Sequence, residues 1–500
     1  MNKPKLNHTL ISFLPILVSI PLFFQLIKDL HFGGIELFYE FLLSAFYPKI
    51  NNEIILIIIH RLNETIFIAL ISWIISLLFG VIFGILSSDI LFKLFSIPKF
   101  IQKIIINFLT ILRSLHELVW CLVLMQIYGI NISVAIIAIT IPYAAINAKV
   151  IKEQLENINS KTIESIIQIK GKKLSSLITI IWVPISKTLK NFGIYRLECA
   201  LRSTAILGLF GIGGIGTSIF LSFQAFNFRE LWTYLWSLAL LILLTNKLFK
   251  NLQFNKLDGR IRLFSLIFSG LLILFASCYF LYSIFNEHLN INYLILSLSN
   301  RNNYLLLKPF FNLILDTIIL TLLATGITIS LPPIIFLISN RGIYINLFRF
   351  IFFFMRLIPP PITILILLMF NAPSISLAAL TLGLHNASIT FKLLNNNLNQ
   401  IDKREYNAIK SLGASKRISW LYGLFIKQSK SYLAYCAYRA DIIIRETAIV
   451  GVIGSIGLGW QLRESLSSFA WEEVLITLFT YSLIAIIGEL INGKIKANLN

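Results

Sequence analysis

The sequence predicts an all-α polytopic membrane protein of about twelve transmembrane helices, built as two six-helix repeats of the same orientation. Three observations predict it. The 500 residues are 57% hydrophobic and only 13% charged, with a mean hydropathy of +0.81, more apolar surface than a water-soluble fold can hide. Apolar runs of roughly 18 or more residues recur without the polar–apolar alternation of a membrane barrel. Finally, the stretch from Tyr195 to Gly216 returns as Tyr438 to Gly459, with Tyr195 and Tyr438, and Gly216 and Gly459, each 243 positions apart.

Taken in order, Lys3 and Lys5 precede an apolar run at 10–27 that no small-residue cleavage site follows, so it reads as the first membrane helix and not a leader. Further spans are expected near 65–86, 105–127, 132–148, 192–216 and 231–249. The second half repeats the order near 263–285, 317–338, 347–370, 375–391, 432–458 and 473–492. This gives a first repeat over 1–250 (core 60–250), a basic linker at 251–262 and a second repeat over 263–500 (core 312–492).

The formal charge of +20 follows the topology and does not point to nucleic acid. With both termini in the cytoplasm, roughly 30 of the 43 lysines and arginines fall on the cytoplasmic side, and the reverse orientation leaves few there. Six spans per half give both repeats the same orientation, related by an axis along the membrane normal, where a pathway would form. The four cysteines (Cys121, Cys199, Cys278, Cys436) lie in apolar runs and set neither a disulfide framework nor a metal site.

Long polar loops at 149–190 and 392–431 occupy the same place in each half, each with about eight basic residues. Each contains a helix–turn–helix-like pattern broken at a glycine, Ser165 to Gly171 and Asn407-Ala408 to Gly413, and the first ends on Ile181-Trp-Val-Pro184. This spacing resembles the coupling loop of ABC-importer permeases, which in that family forms a short helix seated in a groove of the cytoplasmic ATPase. Gly413-Ala414-Ser415 matches it well. Ser165 and Asn407 stand where the family has its glutamate, with Glu164 and Glu405 close by, and Ile426 stands where the second proline would be.

The repeated Tyr-Arg-x-acid-x-x-x-Arg-x-Thr followed by spaced glycines resembles the phosphonate-transport permeases, as does Arg113-Ser-Leu-His-Glu-Leu-Val-Trp120. The resemblance implies a type I ABC importer permease fold with two permeases fused in tandem. It also implies import of phosphonate, or of phosphite or phosphate, by alternating access. The partners it implies are two copies of an ABC ATPase, which carry the ATP and magnesium, and a periplasmic solute-binding protein. The location it implies is a bacterial inner membrane, and this chain itself is expected to hold no cofactor and no catalytic site.

Six arginines inside spans form three repeat pairs: Arg113 with Arg356, Arg196 with Arg439 and Arg202 with Arg445. A mid-span arginine costs about 3 kcal/mol on insertion scales, so each needs a partner or water. Glu198–Arg202 and Asp441–Arg445 have the favoured i, i+4 order of structural ion pairs. Arg196 and Arg439 can snorkel to the cytoplasmic end. Arg113 has Glu117 at i+4, whereas Arg356 has Pro360 there. Set against Glu117, Glu198, Asp441 and Glu446, these six arginines leave a surplus of two, which an oxyanion pathway would use, with Arg356 and Arg113 as the candidates.

Gly208, Gly211, Gly214 and Gly216 match Gly451, Gly454, Gly457 and Gly459. The GxGxxG at 211–216 is not a dinucleotide site, because no strand precedes it and the copy loses the spacing. Small residues here suit close helix approach on the central axis, or a helix break. No GxxxxGK[ST], HExxH or GxSxG occurs, which argues against ATP binding by this chain and against an embedded enzyme. An ion-gradient-driven secondary transporter, or an importer permease for another small solute, remains the alternative, and the basic, glycine-broken loops weigh toward an external motor.

Overall fold

The computed structural model describes residues 4–95, 98–157, 173–251, 270–282, 307–339, 342–454 and 456–499. Its elements are helices: α1 (Pro4–Phe13), α2 (Pro15–Lys28), α3 (Ile35–Ser44), α4 (Asn52–Leu86), α5 (Asp89–Phe95), α6 (Lys99–Ser114), α7 (Glu117–Tyr128) and α8 (Ile132–Glu156). There follow α9 (Lys173–Gly208), α10 (Ile215–Gln224), α11 (Phe228–Asn251), α12 (Gly270–Tyr282), α13 (Leu307–Ile338) and α14 (Gly342–Leu357). The chain ends with α15 (Pro360–Leu367), α16 (Ile375–Gln400), α17 (Arg404–Ser411), α18 (Lys416–Trp420), α19 (Ile426–Gly454), α20 (Gly457–Ser467) and α21 (Trp471–Leu499).

Among the described residues, six helices are long and apolar enough to cross a membrane, or up to nine if each of three bent pairs is one span. The chain is a multi-pass membrane protein, and the described residues carry six unbroken spans of the twelve expected. Three further spans are helices broken by a bend. The expected span at 105–127 is α6 and α7 bent by 85°, where Leu115 and His116 are extended and the His116 ring caps the new helix by accepting from Leu118 N–H. Its counterpart is α14 and α15, bent by 103°, where Pro359 and Pro360 force the break and leave proline at the start of α15, the position that lacks a helical N–H partner anyway.

Contacts divide the chain into two compact units, Phe41–Leu296 and Met1–Glu40 with Ser297–Asn500. The units are therefore cut differently from the sequence repeats at 1–250 and 263–500. The first 40 residues fold with the helices of the second repeat: Leu26 joins the core made by Leu320, Ile364 and Leu382, and its carbonyl accepts from Asn371 Nδ2 at 2.9 Å. Conversely, α12 folds with the first repeat, Tyr279 and Phe280 meeting Phe67 and Phe79 at ring-centroid distances of 5.0 and 6.3 Å. The linker beyond Asn251 lies outside the described residues.

Each unit is organised on one tight helix pair. In the first, α4 and α8 approach where a Cβ on Gly80 would stand 2.4 Å from Asn147 Cβ, and one on Gly84 2.8 Å from Ile151 Cβ. In the second, α13 and α16 approach where a Cβ on Gly383 would stand 2.8 Å from Ile327 Cβ. Small residues at such crossings let backbones close up where lipid gives no hydrophobic drive for helix association.

Candidate functional site

Each copy of the repeated element folds as a long helix, a glycine turn and a short return helix. In the first, α9 ends at Gly208, and Gly213 and Gly214 take φ of 111° and 76° before α10 begins at Ile215. In the second, α19 ends at Gly454 and Gly457, with φ of 60°, opens α20. The two arms nearly touch. A Cβ on Gly208 would lie 2.9 Å from Gly216 Cα, and one on Gly451 2.9 Å from Gly459 Cα. A Cβ on Gly216 would lie 2.0 Å from the Ala205 carbonyl oxygen, and one on Gly454 2.7 Å from Ile364 Cδ1. The close approach at Gly208, Gly216, Gly451 and Gly459 is thus between the arms of each hairpin, whereas Gly454 packs on α15.

The return helices are held at their N-termini by the first long helix of each unit. Gly214 N–H donates to Glu64 Oε2 at 2.8 Å and Ile215 N–H to Thr65 Oγ1 at 2.9 Å. In the second unit Leu458 N–H donates to Thr317 Oγ1 at 3.0 Å. These side chains satisfy N–H groups that a helix start leaves without internal partners.

The intramembrane charges fall into two kinds. Glu198 pairs with Arg202, and Asp441 Oδ2 with Arg445 Nη2 at 2.5 Å, as the i, i+4 spacing anticipates. Arg196 and Arg439 instead correct an expectation. They do not snorkel: they are 6% and 3% exposed, inside the packing. Arg196 lies over the Tyr143 ring, its Cζ 4.4 Å from the centroid. Tyr143 OH lies 2.8 Å from Ser203 Oγ, which donates to Glu117 Oε1 at 2.5 Å. Because His116 Nδ1 accepts from Leu118 N–H, its proton sits on Nε2, 3.3 Å from Glu117 Oε2. In the second unit Arg439 donates to Asn386 Oδ1, Asn386 Nδ2 donates to Glu446 Oε2 at 2.6 Å, and Glu446 Oε1 lies 3.7 Å from Arg439.

Arg113 is buried in the last turn of α6 and donates to Thr110 Oγ1 at 3.1 Å. The 85° bend removes the continuous helical turn that would have set Glu117 one turn above it. Arg356 lies half-buried in the last turn of α14, at the equivalent break.

Of the loop residues, Glu164, Ser165 and Gly171 lie outside the described residues, and Pro184 falls within α9. The second loop is clear. Glu405, Asn407 and Ala408 lie on α17, none of whose residues is buried, and Glu405 pairs with Lys427 at 2.8 Å. Gly413 turns the chain at φ 85°, and Ser415 caps α18 by accepting from Ile418 N–H. Between Ala408 and Gly413, Leu412 stands 85% exposed. The loop is supported from beneath, where a Cβ on Gly423 would meet Tyr406 Cα at 2.6 Å.

Tyr143, Ser203, Asn386, Glu64, Thr65 and Thr317 escaped sequence reasoning. A signal existed in the repeat itself. At the spacing of 243, Glu117 faces Pro360 and Ser203 faces Glu446, so an acid disappears from one column and appears in another.

No family model matches the sequence. Over 120 residues, 24% of this chain, it is 28% identical to a phosphite transport system permease protein of Stutzerimonas stutzeri, spanning about half (46%) of that protein's length. Over 114 residues it is 25% identical to a cryptic phosphonate transport system permease protein of Escherichia coli, covering 93% of it. The likeness to a phosphate-import permease protein of Mycolicibacterium smegmatis is 23% over 430 residues, covering 80% of this chain and 78% of that one. The resemblance read from the repeated element holds: by sequence this chain is a relative of the permease proteins of phosphonate, phosphite and phosphate ABC transport systems.

Proposed function

We propose that this chain is the membrane-spanning permease of an ATP-driven importer for phosphonate or a related phosphorus oxyanion such as phosphite or phosphate. The observation that carries the proposal is a likeness to a phosphate-import permease that runs through both halves, over 80% of the chain. The duplicated arginine-bearing helix and glycine hairpin support it. One fused chain stands where two separate permeases would otherwise pair, in a bacterial inner membrane with both termini cytoplasmic.

Two copies of a cytoplasmic ATPase supply the ATP and magnesium chemistry, and an external binding protein delivers the anion. The exposed α17–Gly413–α18 segment, with Leu412 at its tip, is one docking elbow, and the loop around Gly171 is the other. Nucleotide-driven closure on these elbows alternates access between the two sides of the membrane. Arg113 and Arg356, at the breaks of the bent helices, lower the barrier for the anion.

Affinity purification of the tagged chain from cells that co-express its ATPase tests the reading. A stoichiometric complex that Leu412→Asp disrupts is expected. Purification of the native chain without any ATPase, with uptake that survives ATP depletion, refutes it.

A further inference from the structure

We propose that each half contains one buried carboxylate position in the polar cluster around its inner arginine, and that this position can be supplied from either of two helices. In the first half α7 supplies it, through Glu117; in the second half α19 supplies it, through Glu446. Glu117 and Glu446 are then interchangeable positioning residues that hold Arg196 and Arg439 within the packing, independent of which anion is carried.

Three linked exchanges support this. Where the first half has Glu117, Ser203 and Tyr143, the second has Pro360, Glu446 and Asn386, each 243 positions on. In the first half the order runs from Arg196 over the Tyr143 ring, through the Ser203 hydroxyl, to Glu117. In the second, Asn386 bridges the two charges with both ends of its amide, its oxygen accepting from Arg439 and its nitrogen donating to Glu446. Both carboxylates are largely buried, at 8% and 9% exposure. A proline at 360 can carry no charge, and a serine at 203 carries none, so each half retains one acid in the cluster. Burying an arginine without a nearby anion is costly, which is reason for the acid to persist while its attachment point moves.

The exchange also changes what the acid ties together. Glu117, the first residue of α7 after the bend, joins α7 to α9. Glu446 joins α19 to α16, and α15 meets α19 through the apolar core of Ile364, Ile443 and Val450. A charge substitution should therefore loosen the bent helix in the first half more than in the second.

The test transplants one cluster into the other half of the full-length chain. Glu117→Gln and Glu446→Gln should each lower the thermal unfolding midpoint by several degrees. Adding Tyr143→Asn and Ser203→Glu with Glu117→Pro should recover most of the first-half loss. The converse set, Asn386→Tyr, Glu446→Ser and Pro360→Glu, should recover the second-half loss. Recovery in either half supports the proposal. Failure in both, or native behaviour of both Gln variants, overturns it. Because the readout is unfolding of the purified chain, failure here leaves the transport assignment to its own experiment.

Discussion

Gly216→Ala is the sharpest single perturbation of the glycine hairpins. In open helical surroundings a glycine-to-alanine change gains up to about 1 kcal/mol, because alanine loses less backbone entropy on folding. At 216 the added methyl would stand 2.0 Å from the Ala205 carbonyl oxygen, well inside the 3.4 Å at which ordinary contact begins. The obstacle is backbone on the facing arm of the hairpin, so no side-chain rotation relieves it. The arms must part, at the upper end of the roughly 1–3 kcal/mol that overpacking costs. The net expectation is a loss of about 2 kcal/mol. Gly493→Ala is the matched control, since nothing lies within 4 Å of its Cβ position. Thermal unfolding of the two purified variants in one detergent decides the matter. Gly216→Ala should unfold several degrees below wild type, and Gly493→Ala at or slightly above it. Equal midpoints for the two would refute the close-packed hairpin.

Three further outcomes are expected. Arg439→Ala leaves Glu446 and Asn386 facing a void, a change worth about 3–5 kcal/mol for breaking a buried pair, and Arg439→Met with Glu446→Gln should cost less; unfolding midpoints compare them. Leu412→Asp alters an exposed tip, so stability should stay within about 0.5 kcal/mol of wild type while ATPase co-purification falls at least tenfold. Arg356→Gln should cut phosphite or phosphonate uptake severalfold and leave the complex with the ATPase intact; unchanged uptake kinetics would remove Arg356 from the pathway.

Composition and repeat spacing made the membrane class and the duplicated element legible, because burial in lipid leaves a long apolar signature that local detail cannot mask. The ion pairs Glu198–Arg202 and Asp441–Arg445 were legible for a similar reason: they depend on neighbours one helical turn apart. What depended on tertiary approach was not legible. The stretch at 105–127 read as one span despite Arg113, His116 and Glu117, and the 85° bend there rests on two extended residues and one histidine cap. Arg196 looked close enough to a helix end to reach water, yet it is buried with its guanidinium over the ring of Tyr143 on another helix. Internal repetition identifies equivalent segments but not their packing partners, so the association of residues 1–40 with the helices of the second repeat left no mark in the sequence pattern.

The most direct measurement of the central claim is anion uptake into proteoliposomes that contain this chain with its ATPase and binding protein. Labelled phosphite, phosphonate or phosphate should accumulate only when ATP is hydrolysed on the ATPase side, and Gly214→Leu, which drives a side chain onto Thr65 at a φ of 76°, should abolish it. Accumulation by the chain alone, driven by an ion gradient and indifferent to nucleotide, would contradict the account.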